Sequence, residues 1–198
     1  MPKSILAYIR AIDAMNRFIG RIAMYLIFVL IGVLLWSSVS KTFFNPSLWT
    51  LETAQFVMVA YYVLGGPYSI QLGSNVRMDL FYGAWTDLTK AWVDAFTVFF
   101  LLFYLGVLLY GAVGSTAYSL GYYETEPFSW FWQVFVTLVT EGPTAAGEMF
   151  GFLERSSTAW RPFIWPVKAI LCLGVFLMLL QAVAELCRDI GRIKGEAL

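Results

Sequence analysis

The stretch TAQFVMVAYYVLGGPYSIQLGSNV, residues 53–76, contains no charged residue. About 20 helical residues, each rising about 1.5 Å, are enough to cross the hydrocarbon core of a bilayer. The stretch therefore predicts a membrane-spanning helix. The composition of the whole chain agrees, because only 13% of its 198 residues are charged and 60% are hydrophobic. Soluble domains average about 25% charged residues, so the composition indicates an integral membrane protein.

Three further apolar segments have or approach spanning length. Residues 22–40 and 95–123 are uncharged, and the last segment is long enough if it begins near Phe163 and Lys168 extends to the interface. The sequence thus predicts an all-α membrane protein, a single domain over residues 1–198 with four transmembrane helices. The predicted spans are about 22–43, 52–74, 95–119 and 163–186.

The distribution of basic residues predicts that both termini are cytoplasmic. In that orientation nine of the 13 Lys and Arg residues lie in cytoplasmic segments and four lie outside. This excess follows the positive-inside rule. The first apolar segment is too long for a typical signal peptide, so we expect it to be retained as a helix.

Two amphipathic segments border the predicted spans. In residues 4–20 the arginines lie on one helical face, isoleucines lie on another, and Asp13 precedes Arg17 by four residues. We expect this surface helix to anchor the first span to lipid headgroups. Residues 78–94 repeat apolar and tryptophan residues at helical spacing, which predicts a second surface helix on the cytoplasmic side.

The connection over residues 120–161 is the least regular part of the chain. Its apolar segment 128–140 has only 13 residues, too short to span a bilayer upright. We predict two short helices that rest on the outer leaflet or dip into it. Contact with an extracytoplasmic partner is the alternative to a purely interfacial insertion.

A polar cluster of Asn75, Arg77 and Asp79 follows the second span. Arg77 and Asp79 are two residues apart, so on a helix they point away from each other. We expect Asp79 to cap the surface helix and Arg77 to bind carbonyls or carboxylates of a neighbouring helix. A locally satisfied helix junction without further function is the alternative.

Several kinds of chemistry are excluded by composition. The chain has no histidine, which removes bis-histidine haem ligation, histidine proton transfer and most zinc sites. Cys172 and Cys187 are about four helical turns apart, too far to bridge within one helix. No phosphate-binding loop or nucleophile elbow is present. We expect no cofactor, no metal and no enzymatic activity, and the zero net charge gives no indication of nucleic-acid binding.

Charged residues within or beside the spans are few. They are Glu52, Lys168 and Glu185. A complete transporter normally needs several convergent polar groups and broken helices, whereas here only Gly65-Gly66-Pro67 is a candidate to break a span, and it fits better a helix that bends to follow a larger partner. We interpret the chain as a subunit of a larger assembly. The alternatives are a membrane anchor or assembly factor of an enzyme complex, and a self-sufficient small channel or exporter.

Residues 49–82, WTLETAQFVMVAYYVLGGPYSIQLGSNVRMDLFY, resemble the signature region of the small membrane subunit of tripartite ATP-independent periplasmic (TRAP) transporters. In that family an acidic residue opens the second helix, a Leu-Gly step follows, and an H-V-R-V-D motif closes it. Glu52, Leu64-Gly65 and residues 76–79 match in order and spacing, and Asn75 occupies the usual histidine position. Residues 156–181 are also similar to the fourth-helix entry of longer members. The matching positions there are Trp160, Pro162, Trp165, Pro166, Lys168 and Gln181.

The resemblance implies a function and a location. A large multi-span subunit would move substrate and sodium, a periplasmic binding protein would deliver the substrate, typically a carboxylate, and the small subunit would be a static scaffold. The expected location is the bacterial inner membrane, in contact with lipids. The residues expected at subunit interfaces or in structural roles are Glu52, Gly65, Gly66, Pro67, Asn75, Arg77, Asp79, Trp160, Trp165 and Lys168.

Overall fold

The computed structural model describes residues 2–73, 83 and 85–195, and these residues are mostly helical, with no β-strand. The helices are α1 Lys3–Phe43, α2 Thr50–Gln71, α3 Asp87–Ser119, α4 Pro127–Thr140, α5 Pro143–Glu148 and α6 Trp165–Ile193. Within the described ranges, α1, α3 and α6 are long and apolar enough to cross a membrane, judged by length and composition. The prediction of a helical membrane protein is confirmed. The span predicted at about 52–74, which corresponds to α2, stays a prediction.

The last long helix is the centre of the packing. α6 contacts α1, α2 and α3, and α2 also packs along α1. Apolar side chains join α3 to α6, with Val98, Leu105, Val175 and Ala182 at the middle of their contact. α3 therefore reaches the rest of the bundle mainly through α6.

Glycines allow the closest helix contacts of α2. Gly20 of α1 faces Tyr68, and Gly174 of α6 faces the backbone of Val63, whose carbonyl oxygen would lie 2.8 Å from an added Cβ. The Val63 carbonyl would normally accept the N–H of residue 67, but Pro67 has none. The Val63 carbonyl therefore lacks its usual backbone donor in α2 at the point where Gly174 comes closest.

The Gly65-Gly66-Pro67 step does not interrupt α2, which is helical from Thr50 to Gln71, and the bend predicted at this step stays a prediction. Pro67 is buried, and its missing N–H removes only one ladder bond. α1 and α6 both pack against α2. The helix also ends at Gln71, three residues before the predicted boundary.

α1 is one helix of 41 residues, so the predicted boundary between a surface helix at 4–20 and a span at 22–43 is absent. Its length is about 61 Å, roughly twice the thickness of the hydrocarbon core. The cause is a buried face that continues past residue 20 without interruption. That face comprises Ile9, Ile12, Asn16, Gly20, Ala23, Val33 and Ser40.

The predicted surface helix at 78–94 is likewise not separated from the span that follows it, in the part that the structure describes. Residues 87–94 are the first turns of α3 and continue into the predicted third span without a break. Thr86 starts this helix, and its side-chain oxygen accepts a hydrogen bond from the Thr89 N–H. Residues 78–82 and 84 lie outside the described residues.

The 120–161 connection contains two short helices, α4 and α5, as predicted. It has a small aromatic core, in which Trp130 is 6% exposed and stacks on Tyr122, with ring centroids 5.0 Å apart. Gly121 has φ +89° and meets the backbone of Gly151, so a side chain at Gly121 would be strained and would overlap that backbone. The connection is thereby fastened to the end of α3.

Candidate functional site

Polar side chains that bond between segments form two groups among the described residues, and each group includes at least one buried side chain. The first group, called here the Glu52 layer, comprises Glu52, Glu154, Ser156, Thr158 and Lys168. The second group, the Gln181 layer, comprises Asp13, Asn16, Gln71, Gln181, Glu185 and Arg188. Along α2, Glu52 and Gln71 are 19 residues apart, a rise of about 28 Å. The two layers are therefore separated by about the thickness of a hydrocarbon core.

Glu52 is the most buried carboxylate of its layer, with 3% of its surface exposed. Its Oε1 accepts hydrogen bonds from the hydroxyls of Ser156, at 2.6 Å, and Thr158. Its Oε2 is buried and has no hydrogen-bond partner among the described residues. Glu52 thus fastens the start of α2 to the segment that precedes α6.

A short hairpin over residues 154–164 positions these two hydroxyls. Ser156 N donates to Pro162 O at 2.9 Å, and Ile164 N donates to Glu154 O at 3.2 Å. Glu154 N in turn donates to Ser119 O at 3.0 Å, which ties the hairpin to the end of α3. Three helix ends, those of α2, α3 and α6, therefore meet at this hairpin.

Lys168 is the residue of α6 that belongs to the Glu52 layer. Its Nζ donates to Glu154 Oε2 at 2.6 Å and to Ser115 O at 3.3 Å, and its side chain is 20% exposed. Lys168 thus reaches from α6 toward the 120–161 connection, and its extension to the membrane interface stays a prediction. Trp160 and Trp165 lie at the same end and are 44% and 39% exposed.

Gln181 joins two helices at the centre of its layer. Its side chain has no exposed surface; Oε1 accepts from Asn16 Nδ2 at 2.7 Å, and Nε2 donates to Asp13 Oδ1 at 3.2 Å and Glu185 Oε1 at 3.0 Å. Gln71 Nε2 donates to the Asp13 carbonyl at 3.4 Å, which adds α2. One buried amide therefore links α1 to α6.

Arg188 bridges the two carboxylates of the Gln181 layer. It forms ion pairs with Asp13 and Glu185, and the three side chains are 17%, 19% and 24% exposed. The pair of Asp13 with Arg17 suggested by their spacing is not formed, and Arg17 is exposed. The partner of Asp13 is instead a residue 175 positions later in the chain.

The remaining predicted residues have different surroundings. A Cβ at Gly66 would lie 2.8 Å from Met178 Sδ, whereas a Cβ at Gly65 would meet no atom within 4 Å. Pro67 is buried within α2. The cluster of Asn75, Arg77 and Asp79 lies outside the described residues. The structure therefore brings Glu52 and Lys168 to one layer, while the glycines lie between the layers.

Sequence reasoning missed most of the Gln181 layer. Asn16 carried the available signal, because it lies on the same helical face as Ile9 and Ile12 and is 1% exposed. A polar residue on a buried face requires a partner, and periodicity does not identify it. Among the described residues no group of three or more His, Cys, Asp or Glu side chains is placed to hold a metal ion.

Comparison with known proteins identifies the family of the chain. Residues 30–146, more than half of the chain, match the family described as tripartite ATP-independent periplasmic transporters, DctQ component. No curated protein and no solved structure matches the chain. A transporter component is thereby favoured over the anchor of an enzyme complex. The chain belongs to the DctQ family, the small membrane components of tripartite ATP-independent periplasmic transporters.

Proposed function

We propose that this chain is a non-catalytic scaffold subunit of a sodium-coupled transporter that imports organic acids. A large multi-span subunit carries the substrate, and a periplasmic binding protein delivers it. Family membership supports this assignment. The observation that carries it is the distribution of polar groups, because the polar side chains that bond between segments form the two layers, about 28 Å apart along α2, and the buried residues between the layers are apolar.

The middle of the bundle offers no route for a polar solute. Its buried side chains are apolar; they include Ala23, Val33, Ala60, Val98, Leu105, Val175 and Leu177. Residues that conduct ions or organic acids through a membrane are polar, converge at the midplane and often lie on broken helices. The polar side chains of the two layers instead form hydrogen bonds and ion pairs with other residues of this chain. Another subunit must therefore carry the solute.

The spacing of the two layers supports a four-span topology. α2 joins layers about 28 Å apart, so it has the length of a span, although α1, α3 and α6 and not α2 are apolar enough by hydropathy to be identified as spans within the described ranges. The excess of basic residues in the predicted cytoplasmic segments favours cytoplasmic termini in a bacterial inner membrane. In that orientation the Glu52 layer faces the periplasm and the Gln181 layer faces the cytoplasm.

The polar cluster that follows α2 remains a candidate for contact with another subunit. In the proposed topology Asn75, Arg77 and Asp79 lie at the cytoplasmic end of the second span. The family resemblance at this motif supports contact with a neighbouring helix, and the exposed positions of Trp160 and Trp165 suit contact at the opposite end.

The test is reconstitution with the cognate large subunit. We expect the pair to co-purify in mild detergent and to take up a labelled carboxylate into liposomes when the binding protein and a sodium gradient are present. Liposomes containing this chain alone provide the control and should show no uptake. Uptake by the chain alone, or its isolation as a homo-oligomer without a large subunit, would contradict the scaffold assignment.

A further inference from the structure

A groove of about 630 Å³ runs along the surface of α2. Gly20 and Met24 of α1 line one side, Leu101 of α3 and Met178 of α6 line the other, and Gly65 lies between them. The groove opens to the surface, because Met24 is 48% exposed and Leu101 is 37% exposed. A Cβ at Gly65 would meet no atom within 4 Å, so the floor of the groove is bare at this residue.

The groove has the length of one leaflet. Its lining residues on α2 extend from Tyr61 to Leu72, a rise of about 16 Å, and the hydrocarbon half of one leaflet is about 15 Å. Leu72 adjoins Gln71 of the Gln181 layer, which lies at one edge of the expected hydrocarbon core. The groove therefore runs from the headgroup level to about the middle of the membrane.

Two arginines border this groove at its headgroup end. Arg17 and Arg21 are exposed, and Met24 of the groove lies within about 60° of both on the helical wheel of α1. Within the described part of the chain neither guanidinium has an ion pair or hydrogen bond. Arg17 follows Asn16 of the Gln181 layer directly, so its charge lies at the same membrane depth as that layer.

These observations combine an apolar slot with two unpartnered cations at its polar end. We propose that the groove binds one acidic phospholipid, with its phosphate between Arg17 and Arg21 and one acyl chain lying over Gly65. An acyl chain is slim and flexible, whereas a helix with side chains is about 10–12 Å wide. The two arginines at the polar end of the groove therefore favour an acidic lipid over a helix of a partner subunit.

The experiment is native mass spectrometry of the full chain loaded with phosphatidylglycerol or phosphatidylcholine. We expect the wild-type chain to retain phosphatidylglycerol over phosphatidylcholine by roughly 30-fold, as two arginines near an anionic headgroup would give. The double variant Arg17→Gln/Arg21→Gln should bind either lipid with a preference below about threefold. Gly65→Leu fills the groove and should lose both lipids.

Two matched controls separate this site from general charge attraction. Lys3→Gln/Arg10→Gln removes the same charge from the same face of α1 but away from the groove, and should keep the wild-type preference. Gly111→Leu adds the same side chain where an added Cβ meets no atom within 4 Å and should retain lipid. Circular dichroism of each variant checks that the helices are intact.

Three results would overturn the proposal. The first is an equal loss of preference in both double variants, which would mean that the whole basic face attracts lipid without a site. The second is unchanged lipid retention by Gly65→Leu. The third is loss of the lipid when the wild-type chain is purified with its large subunit, which would make the groove a protein interface.

Discussion

The ion pairs of the Gln181 layer give the sharpest quantitative prediction. Arg188 binds the carboxylates of Asp13 on α1 and Glu185 on its own helix. Arg188→Gln would leave two carboxylates facing each other, with the amide of Gln181 as their remaining donor in the layer. Asp13→Asn would leave the pair of Arg188 with Glu185 intact and should therefore cost less free energy of unfolding.

The magnitude follows from the partial burial of these side chains, which are 17–24% exposed. Exposed pairs contribute under about 1 kcal/mol, and breaking a fully buried pair costs about 3–5 kcal/mol. We therefore expect Arg188→Gln to cost about 2–3 kcal/mol and Asp13→Asn about 1 kcal/mol. The two changes should be less than additive in the double variant, with a coupling energy of about 1–2 kcal/mol.

The assay is unfolding of the purified chain in detergent, followed by tryptophan fluorescence, for the wild type, both single variants and the double variant. Arg17→Gln is the matched control, because Arg17 lies four residues after Asp13 but is exposed and unpaired within the described residues. Its cost should be below about 0.5 kcal/mol. A coupling energy below about 0.5 kcal/mol between Asp13 and Arg188, or an Arg17→Gln cost equal to that of Arg188→Gln, would refute the reasoning.

Further predictions concern packing, the Glu52 layer and topology. Gly174→Ala should lower the free energy of unfolding by about 1–3 kcal/mol, because its Cβ meets the α2 backbone, whereas Gly111→Ala should be neutral or stabilising; equal thermal stability would contradict this. Glu52→Ala should cost about 1–3 kcal/mol and increase proteolysis of the 154–164 hairpin, because two hydroxyls lose their acceptor. In a background without native cysteines, a cysteine at Glu148 should react with an impermeant reagent from the periplasm and one at Leu6 from the cytoplasm; the reverse pattern would overturn the orientation.

Local sequence patterns predicted the helices well and their partners poorly. Hydropathy located the long apolar helices, and the short apolar segment with Gly142 predicted the two helices of the 120–161 connection. These features depend on residues close in sequence. The bond between Asn16 and Gln181 joins residues 165 positions apart, and periodicity contains no information on such a distance. The spacing of Asp13 and Arg17 was misleading, because an i,i+4 pair on an exposed face is weaker than a partly buried bridge.

The glycines also show that local sequence patterns do not identify distant contact partners. Gly106, Gly111 and Gly114 cluster on α3 and are small enough for close helix contact, yet an added Cβ at Gly106 or Gly111 would meet no atom within 4 Å. The contacts that do require glycine are isolated single residues, such as Gly20 and Gly174. Their role depends on which helix lies opposite, and the local sequence contains no information on that.

The arrangement of these contacts bears on how a scaffold resists deformation. α1 and α6 are joined at the Gln181 layer, α2 and the entry to α6 are joined at the Glu52 layer, and α2 packs between α1 and α6 through glycine contacts. A rotation of α2 about its own axis would break the bonds of Glu52 at one end and of Gln71 at the other. Because those layers are about 28 Å apart, neither can adjust alone without straining the other. α1, α2 and α6 should therefore move as one rigid unit, which is the property that the proposed scaffold role requires.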